Sequence, residues 1–210
     1  MTVTVVTDTA ASLPAELAEQ WGIAVVPMSV TIGTRNVRDG EVGLDQLLDH
    51  LGEGVTTSAP SPGDFATALE PVGDDGAVVC TIASSMSATH DAARLAANLS
   101  DRAVTVIDTA TAAGAEGLVV LAAARAAAAG LDRDAVAERA RWVAQRVRLV
   151  AAVDGLEQLV RSGRVPGIAG WVGGRLGLQP LFEFAGGKVH RLRPAGSREA
   201  ALDRLVGMWR

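Results

Sequence analysis

Ala77-Val78-Val79-Cys80-Thr81-Ile82, followed after Ala83 by Ser84-Ser85-Met86-Ser87-Ala88-Thr89-His90, decides how this chain folds. The first six residues are apolar or β-branched without interruption, the pattern of a strand covered on both faces. A hydroxyl cluster closes that strand. A helical repeat then puts Ala92, Leu95, Ala96 and Leu99 on one side, with Ser87 placed to cap the helix. Strand, polar turn and helix in that order are the repeating unit of an α/β sheet, and such sheets hold ligands beyond the carboxyl ends of their strands.

The same unit recurs on both sides. Thr2 to Thr7 reads as a buried strand ending at Asp8, and Ser12 and Pro14 open a helix with Leu17 and Trp21 on one face, stopping near Gly22. Ile23 to Val26 is a second strand, which Pro27 separates from Met28 to Ile32. Leu44, Leu47, Leu48 and Leu51 are spaced as one helix face. Ala103 to Ile107 is a strand closing on Asp108-Thr109, followed by an Ala-rich helix after Gly114 and a helix from Asp134 to Arg148. The expected fold is α/β with a mostly parallel sheet. Asp8, Ser84 to Ser87 and Asp108-Thr109 fall at strand ends, where a site belongs.

Near Arg148 the pattern changes. Leu149 to Val153 reads as a strand, and Asp154-Gly155-Leu156-Glu157 as the capped start of a short helix. A glycine-rich stretch from Gly167 to Arg175 follows, matching neither GxGxxG nor a Walker lysine motif. Leu181 to Phe184 and Lys188 to Arg193 read as a hairpin across Gly186-Gly187, and Ser197 as the cap of a last helix. The expected division is an N-terminal α/β domain over residues 1–148 and part of a smaller α/β domain over 149–210.

Composition narrows the function classes. The 210 residues are 49% hydrophobic and 20% charged, with a net charge of −5. Nucleic-acid binding by bulk charge would need a basic excess. The single cysteine, Cys80, lies in an apolar run and reads as packing. No CxxC or HExxH spacing supports a metal. The Ala-rich run is broken by Glu116 and Arg125, which argues against stable membrane insertion, and no signal-like segment opens the chain. The expected location is the cytoplasm.

A second stretch carries chemistry: Thr56-Thr57-Ser58-Ala59-Pro60-Ser61-Pro62. Ser61 reads as an N-cap, Pro62 as the first helical residue and Asp64 as its capping-box partner. The helix start, with Thr57 and Ser58 just upstream, would form a hydroxyl-lined cradle for a small anion. The plainer reading is a capped loop.

These pieces together resemble the DegV family of bacterial fatty-acid-binding proteins, which includes acyl-carrier subunits of fatty acid kinase. The matching segments run in family order over the whole chain: Thr7 to Pro14, Val25 to Met28, Asp39-Gly40, Thr57 to Ser61, Ser84 to Thr89, Ile107 to Thr109, Leu156 to Arg164 and Gln179 to Leu181. The resemblance implies a two-domain α/β protein that buries one long-chain fatty acid between its domains and needs no cofactor. It implies Thr57, Ser58 and Ser87 as carboxylate-binding hydroxyls, with Ser85, Asp8 and Thr89 beside them. It implies no catalysis by the chain itself: a separate ATP-dependent kinase subunit would act on the presented carboxylate, with Arg164 and Arg193 in docking positions.

The sequence departs from the family pattern where Ala88 replaces a glycine, His90 a tyrosine and Ala59 a glutamine. It also stops before a histidine-containing, glycine-rich segment of the family. A truncated form, or an incomplete head-group site, is therefore expected. Two other readings stand beside this one. One is a non-lipid interaction module that lost ligand binding with its C-terminal segment; the basic concentration of Arg161, Arg164, Arg175, Arg191, Arg193 and Arg198 reads separately, as a solvated face or as a docking surface for the kinase partner or the acyl phosphate. The other is a serine hydrolase with Ser84, Ser85 or Ser87 as nucleophile, His90 as base and Asp108 as orienter, although no GxSxG elbow is present. His50 and His190 read as solvated.

Overall fold

A computed structural model describes residues 2–50, 54–153 and 178–209. The chain forms two compact units, Met1–Val147 and Arg148–Arg210.

In the first unit, four parallel strands run in the order β2-β1-β6-β7, where β1 is Thr4–Asp8, β2 Ile23–Val26, β6 Ala77–Thr81 and β7 Val104–Asp108. All five residues of β6 are buried, as its unbroken apolar run demands. Alternate side chains serve opposite faces. Val3, Val5, Val78, Cys80 and Ile107 pack with Ala18 of α1 (Ala15–Gln20) and the small-residue faces of α5 (Ala113–Ala128) and α6 (Arg133–Ala144). Val6, Ala77 and Val79 pack with Phe65 and Leu69 of α3 (Pro62–Leu69) and with Ala93 and Ala96 of α4 (Thr89–Leu99). The result is a three-layer α/β/α arrangement, as the strand–helix alternation predicts.

A second sheet interrupts the alternation. It is antiparallel, in the order β4-β3-β5, with β3 Ser29–Ile32, β4 Arg35–Arg38 and β5 Val55–Ser58. This adds one strand and corrects one expectation. Arg35-Asn36-Val37-Arg38 has only Val37 to bury and gives no apolar signal, yet it pairs fully with β3. Thr56 to Ser58 is not a loop but a strand in register with Ser29 to Thr31, because β-branched threonines suit an extended edge.

Two helix faces also differ from their spacing. Leu95 and Leu99 of α4 are 49% and 76% exposed, while Thr89, Ala93 and Ala96 point inward. α2 (Leu44–Asp49) forms where expected but buries no residue, with Leu44 and Leu48 exposed. Its expected fourth leucine, Leu51, lies outside the described residues.

The second unit is a meander in the order β10-β9-β8, from β8 (Leu149–Ala152), β9 (Gln179–Ala185) and β10 (Lys188–Ala195). Ala185 pairs with Lys188 across Gly186 and Gly187, whose φ values of 56° and 72° make the two-residue turn. α7 (Arg198–Trp209) follows, its first turn capped by Ser197 Oγ, which accepts from the N–H of Ala200 at 3.1 Å. Leu181, Ala195 and Ala201 form the small core. The helix expected from Asp154 and the glycine-rich stretch after Gly167 lie outside the described residues.

Candidate functional site

The sheet order reverses between β1 and β6: from β1 the chain steps outward to β2, and from β6 it steps the other way to β7. The carboxyl ends of these two central strands are therefore the place where loops diverge and a crevice opens. Asp8 sits at the end of β1 with no exposure. Its Oδ1 accepts from the N–H of Ala10 at 2.9 Å and its Oδ2 from the N–H of Ile82 at 3.0 Å. One carboxylate thus ties the turn Thr9–Ala11 to the start of the serine loop. Thr9 extends the tie, its Oγ1 accepting from the N–H of Met28 at 3.1 Å.

Asp108 does the same work at the end of β7. Its Oδ2 accepts from Ser84 Oγ at 2.5 Å, and its Oδ1 from the N–H groups of Ser84 at 3.2 Å and Ala110 at 2.8 Å. Ala83 N–H donates to the carbonyl of Thr111 at 2.8 Å, and Thr109 Oγ1 to that of Thr81, also at 2.8 Å. Three non-glycine residues with positive φ lie on this same edge: Ser12 at 50°, Ala110 and Ala113 at 52° each. Backbone held in that region is strained and marks a site fixed by its surroundings.

The serine loop leads into α4. Ser87 Oγ lies 2.7 Å from Thr89 Oγ1 and accepts from the N–H of Thr89 at 3.3 Å. The expected cap is thus present in substance, although the helix begins two residues later and its formal cap residue, Ala88, offers no side-chain bond. Ser87 is half-buried, Thr89 buried and Ser85 exposed.

The other expected cradle is different in kind. The capping box at α3 is complete: Ser61 Oγ accepts from the N–H of Asp64 at 3.2 Å, and Asp64 Oδ2 accepts from the N–H of Ser61 at 2.8 Å and from its hydroxyl at 2.6 Å. Arg38 adds a bond to Asp64 Oδ1 at 3.1 Å. The Ser61 bonds, first among the causes, hold the Asp64 carboxyl below its usual range. The α3 N-terminus is therefore already occupied by the chain's own carboxylate. Thr57 and Ser58, exposed on β5, remain as hydroxyls upstream of it. Arg193 is exposed on β10, and Arg164 lies outside the described residues.

The hydrolase arrangement is not assembled among the described residues. Asp108 bonds Ser84 directly, with no imidazole between them, and His90 Nδ1 lies 3.1 Å from Thr81 Oγ1. No group of three or more His, Cys, Asp or Glu side chains that could hold a metal occurs among the described residues, and no helix there is long and apolar enough to cross a membrane. Burial above all pushes the Cys80 thiol up to about 12, so it is inert packing.

Sequence reading missed Glu116. It has no exposure, and burial first, then the Asp8 charge, pushes its carboxyl up to about 10. The available signal was a lone acid on the first turn of an otherwise alanine-lined helix following a strand end.

A family model described as an uncharacterised protein of the DegV family matches residues 2–210. This chain belongs to the DegV family. A DegV domain-containing protein of Mycobacterium tuberculosis is 40% identical over 214 residues, spanning 98% of this chain and 75% of that relative. A solved structure described as fatty acid binding of a DegV family protein from Thermus thermophilus superposes with a TM-score of 0.88 at 32% identity, covering 100% of this chain and 77% of that one. The Fatty Acid Kinase (Fak) B3 protein of Streptococcus pneumoniae, solved loaded with linoleic acid, shares the fold with a TM-score of 0.82 at 24% identity, covering 99% and 79% of the two chains.

Proposed function

We propose that this DegV protein binds one long-chain fatty acid, with its carboxylate held by the hydroxyls of Thr57, Ser58 and Ser87 and with Ser85, Asp8 and Thr89 lining the head-group region. The observation that carries the reading is the Ser87–Thr89 hydroxyl pair, 2.7 Å apart at the α4 N-terminus, where the formal cap residue, Ala88, offers no side-chain bond. The helix there offers N–H groups and a partial positive charge to an anion. The fatty-acid binding described for the Thermus thermophilus relative supports the ligand class.

The energetics divide in a way that suits such a site. Burying a methylene contributes roughly 0.8 kcal/mol, so about fifteen of them give a gross gain of about 12 kcal/mol. A charge-assisted hydrogen bond contributes about 1.5–3 kcal/mol. The tail therefore supplies most of the affinity and the hydroxyls set orientation. No formal positive charge is needed.

The carrier role follows. The chain presents the carboxylate to a separate ATP-dependent kinase subunit in the cytoplasm and does no chemistry itself, with Arg164 and Arg193 in docking positions. Arg164→Ala is expected to leave bound lipid unchanged and to slow acyl-phosphate formation by the kinase. Lost lipid with an unchanged transfer rate per bound lipid would remove the docking assignment.

The central test is mass spectrometry of lipid extracted from the purified protein, wild type beside a Thr57→Val, Ser87→Ala double variant. A fatty acid in the first that falls in the second supports the reading. No lipid in either favours an interaction module, and turnover of acyl esters favours a hydrolase.

A further inference from the structure

Glu116 is an acidic side chain with no exposure in the first unit. Its carboxyl lies against Asp8 and Thr7, yet among the described residues neither of its oxygens has a hydrogen-bond partner of good geometry, and neither does Thr7 Oγ1. Its position is not accidental slack. A Cβ on the next residue, Gly117, would stand 2.8 Å from the carbonyl oxygen of Ala11, so the first turn of α5 is pressed against the turn that Asp8 caps. Glu116 is thereby aimed at the end of β1.

The chemistry at that point is one-sided. Among the described residues, the charged groups acting on Glu116 are Asp8 of β1 and Asp108 of β7, both acidic, and it also interacts with the Thr7 hydroxyl and the Cys80 thiol of β6. An ionised carboxylate only accepts hydrogen bonds, and here it would face a second acceptor with no cation acting on it among the described residues. A protonated carboxyl has a donor, and Asp8 is an acceptor within reach. Which acid holds the proton is set by the backbone. Asp8 takes two N–H bonds that favour its charged form, from Ile82 and Ala10, whereas Glu116 takes none.

We propose that Glu116 is the proton-bearing member of a buried carboxylic acid–carboxylate pair with Asp8, and that this pair positions the serine loop from Ile82 to Ser87 at the head-group site. The proton on Glu116 keeps Asp8 ionised, and ionised Asp8 holds the N–H of Ile82. Glu116 is a positioning residue and touches no ligand. Its effect on lipid rests on the fatty-acid reading above; the proton sharing and the loop contact do not.

The test uses the whole chain with Glu116→Gln, which keeps a donor, and Glu116→Leu, which removes it. Three readouts separate the claims. First, the unfolding equilibrium constant of the wild type relative to Glu116→Gln should rise about tenfold per pH unit between pH 5.5 and 8.5, because the unfolded chain releases a proton that the native state keeps. A flat ratio overturns the pair, whether or not lipid binds. Second, exchange of the Ile82 amide, followed by hydrogen–deuterium exchange, should be at least tenfold faster in Glu116→Leu and near wild type in Glu116→Gln. Equal protection in all three overturns the positioning role. Third, the Kd for a fluorescent long-chain fatty acid should rise about tenfold in Glu116→Leu and be rescued in Glu116→Gln. If the wild type binds no fatty acid, the functional reading fails while the first two readouts still decide the pair. If the leucine variant does not fold, Glu116→Ala, which also removes the donor, replaces it in the second readout with the same expected loss of Ile82 protection.

Discussion

The carboxylate of Asp8 and the backbone N–H of Ile82, 74 residues apart in sequence, meet at 3.0 Å across the point where the parallel sheet reverses its order. Each belongs to the end of a central strand, and the bond sets how far the loops after β1 and β6 can separate. The serine loop is therefore fixed at its first residue by a buried charge, and at its second and third by Thr111 and Asp108. Hydroxyls presented from such a loop are held before any ligand arrives, which lowers the ordering cost of binding.

Replacing Asp8 by Asn tests that bond. One of the two N–H groups it serves would face an amide N–H₂ in place of an oxygen. An unmet buried donor costs about 1–3 kcal/mol, and that is the expected loss on urea denaturation. A midpoint and slope matching the wild type would show that the strand ends are held together by other contacts.

Gly76 gives a sharper prediction about backbone. It has a φ of +76°, and a Cβ there would lie 2.2 Å from the carbonyl oxygen of Ala103. That oxygen accepts from the N–H of Ala77 and cannot withdraw without opening the start of β6 against β7. Gly76→Ala combines strain with a backbone clash, and the expected loss is about 3 kcal/mol or more. Gly73→Ala, with nothing within 4 Å of its added Cβ, is the control and should change stability by less than about 0.5 kcal/mol.

Core and surface on the α3–α4 side are separable by truncation. Phe65 is fully buried among Val6, Val26, Val79 and Ala93, and Phe65→Ala should cost about 3–5 kcal/mol in thermal or chemical unfolding. Leu99 is 76% exposed, and Leu99→Ala should fall within about 0.5 kcal/mol of wild type. A large loss at Leu99 would mean that its face is covered in solution.

That contrast also explains what could be read from sequence. The central strands were legible because both faces of β1 and β6 are covered, leaving runs with no polar interruption. The caps at Ser61 and Ser197 and the Gly186-Gly187 turn were legible because local hydrogen bonding and backbone freedom dictate them. The direction of α4 was not: leucine outweighs alanine in any hydrophobic count, but close helix packing at Ala93 and Ala96 favours the smaller residue. β4 was invisible because antiparallel pairing through backbone groups needs only one apolar side chain, Val37. Among the site residues, Asp8, Ser87 and Asp108 could be placed at strand and helix ends. The role of Glu116 could not, since it depends on the approach of α5 to the Thr9–Ala11 turn, a contact between segments distant in sequence.

The α3 capping box carries a pH signature. Ser61→Ala removes the hydroxyl that accepts from the N–H of Asp64 and donates to its carboxylate, and the expected cost at pH 7 is about 1 kcal/mol. The Asp64 carboxyl titrates below its ordinary value of 3.8 in the folded chain, chiefly through Ser61. A depressed carboxylate contributes stability that is present above its unfolded value and lost as pH falls through the folded one. The gap between wild type and Ser61→Ala should therefore be full at neutral pH and shrink as pH drops below about 3.8. Arg38→Ala, removing an exposed ion pair to the same carboxylate, should cost less than about 0.5 kcal/mol at any pH. A gap for Ser61→Ala that stays constant down to acid would place the whole effect in the hydroxyl's acceptance from the Asp64 N–H, and none in its bond to the Asp64 carboxylate.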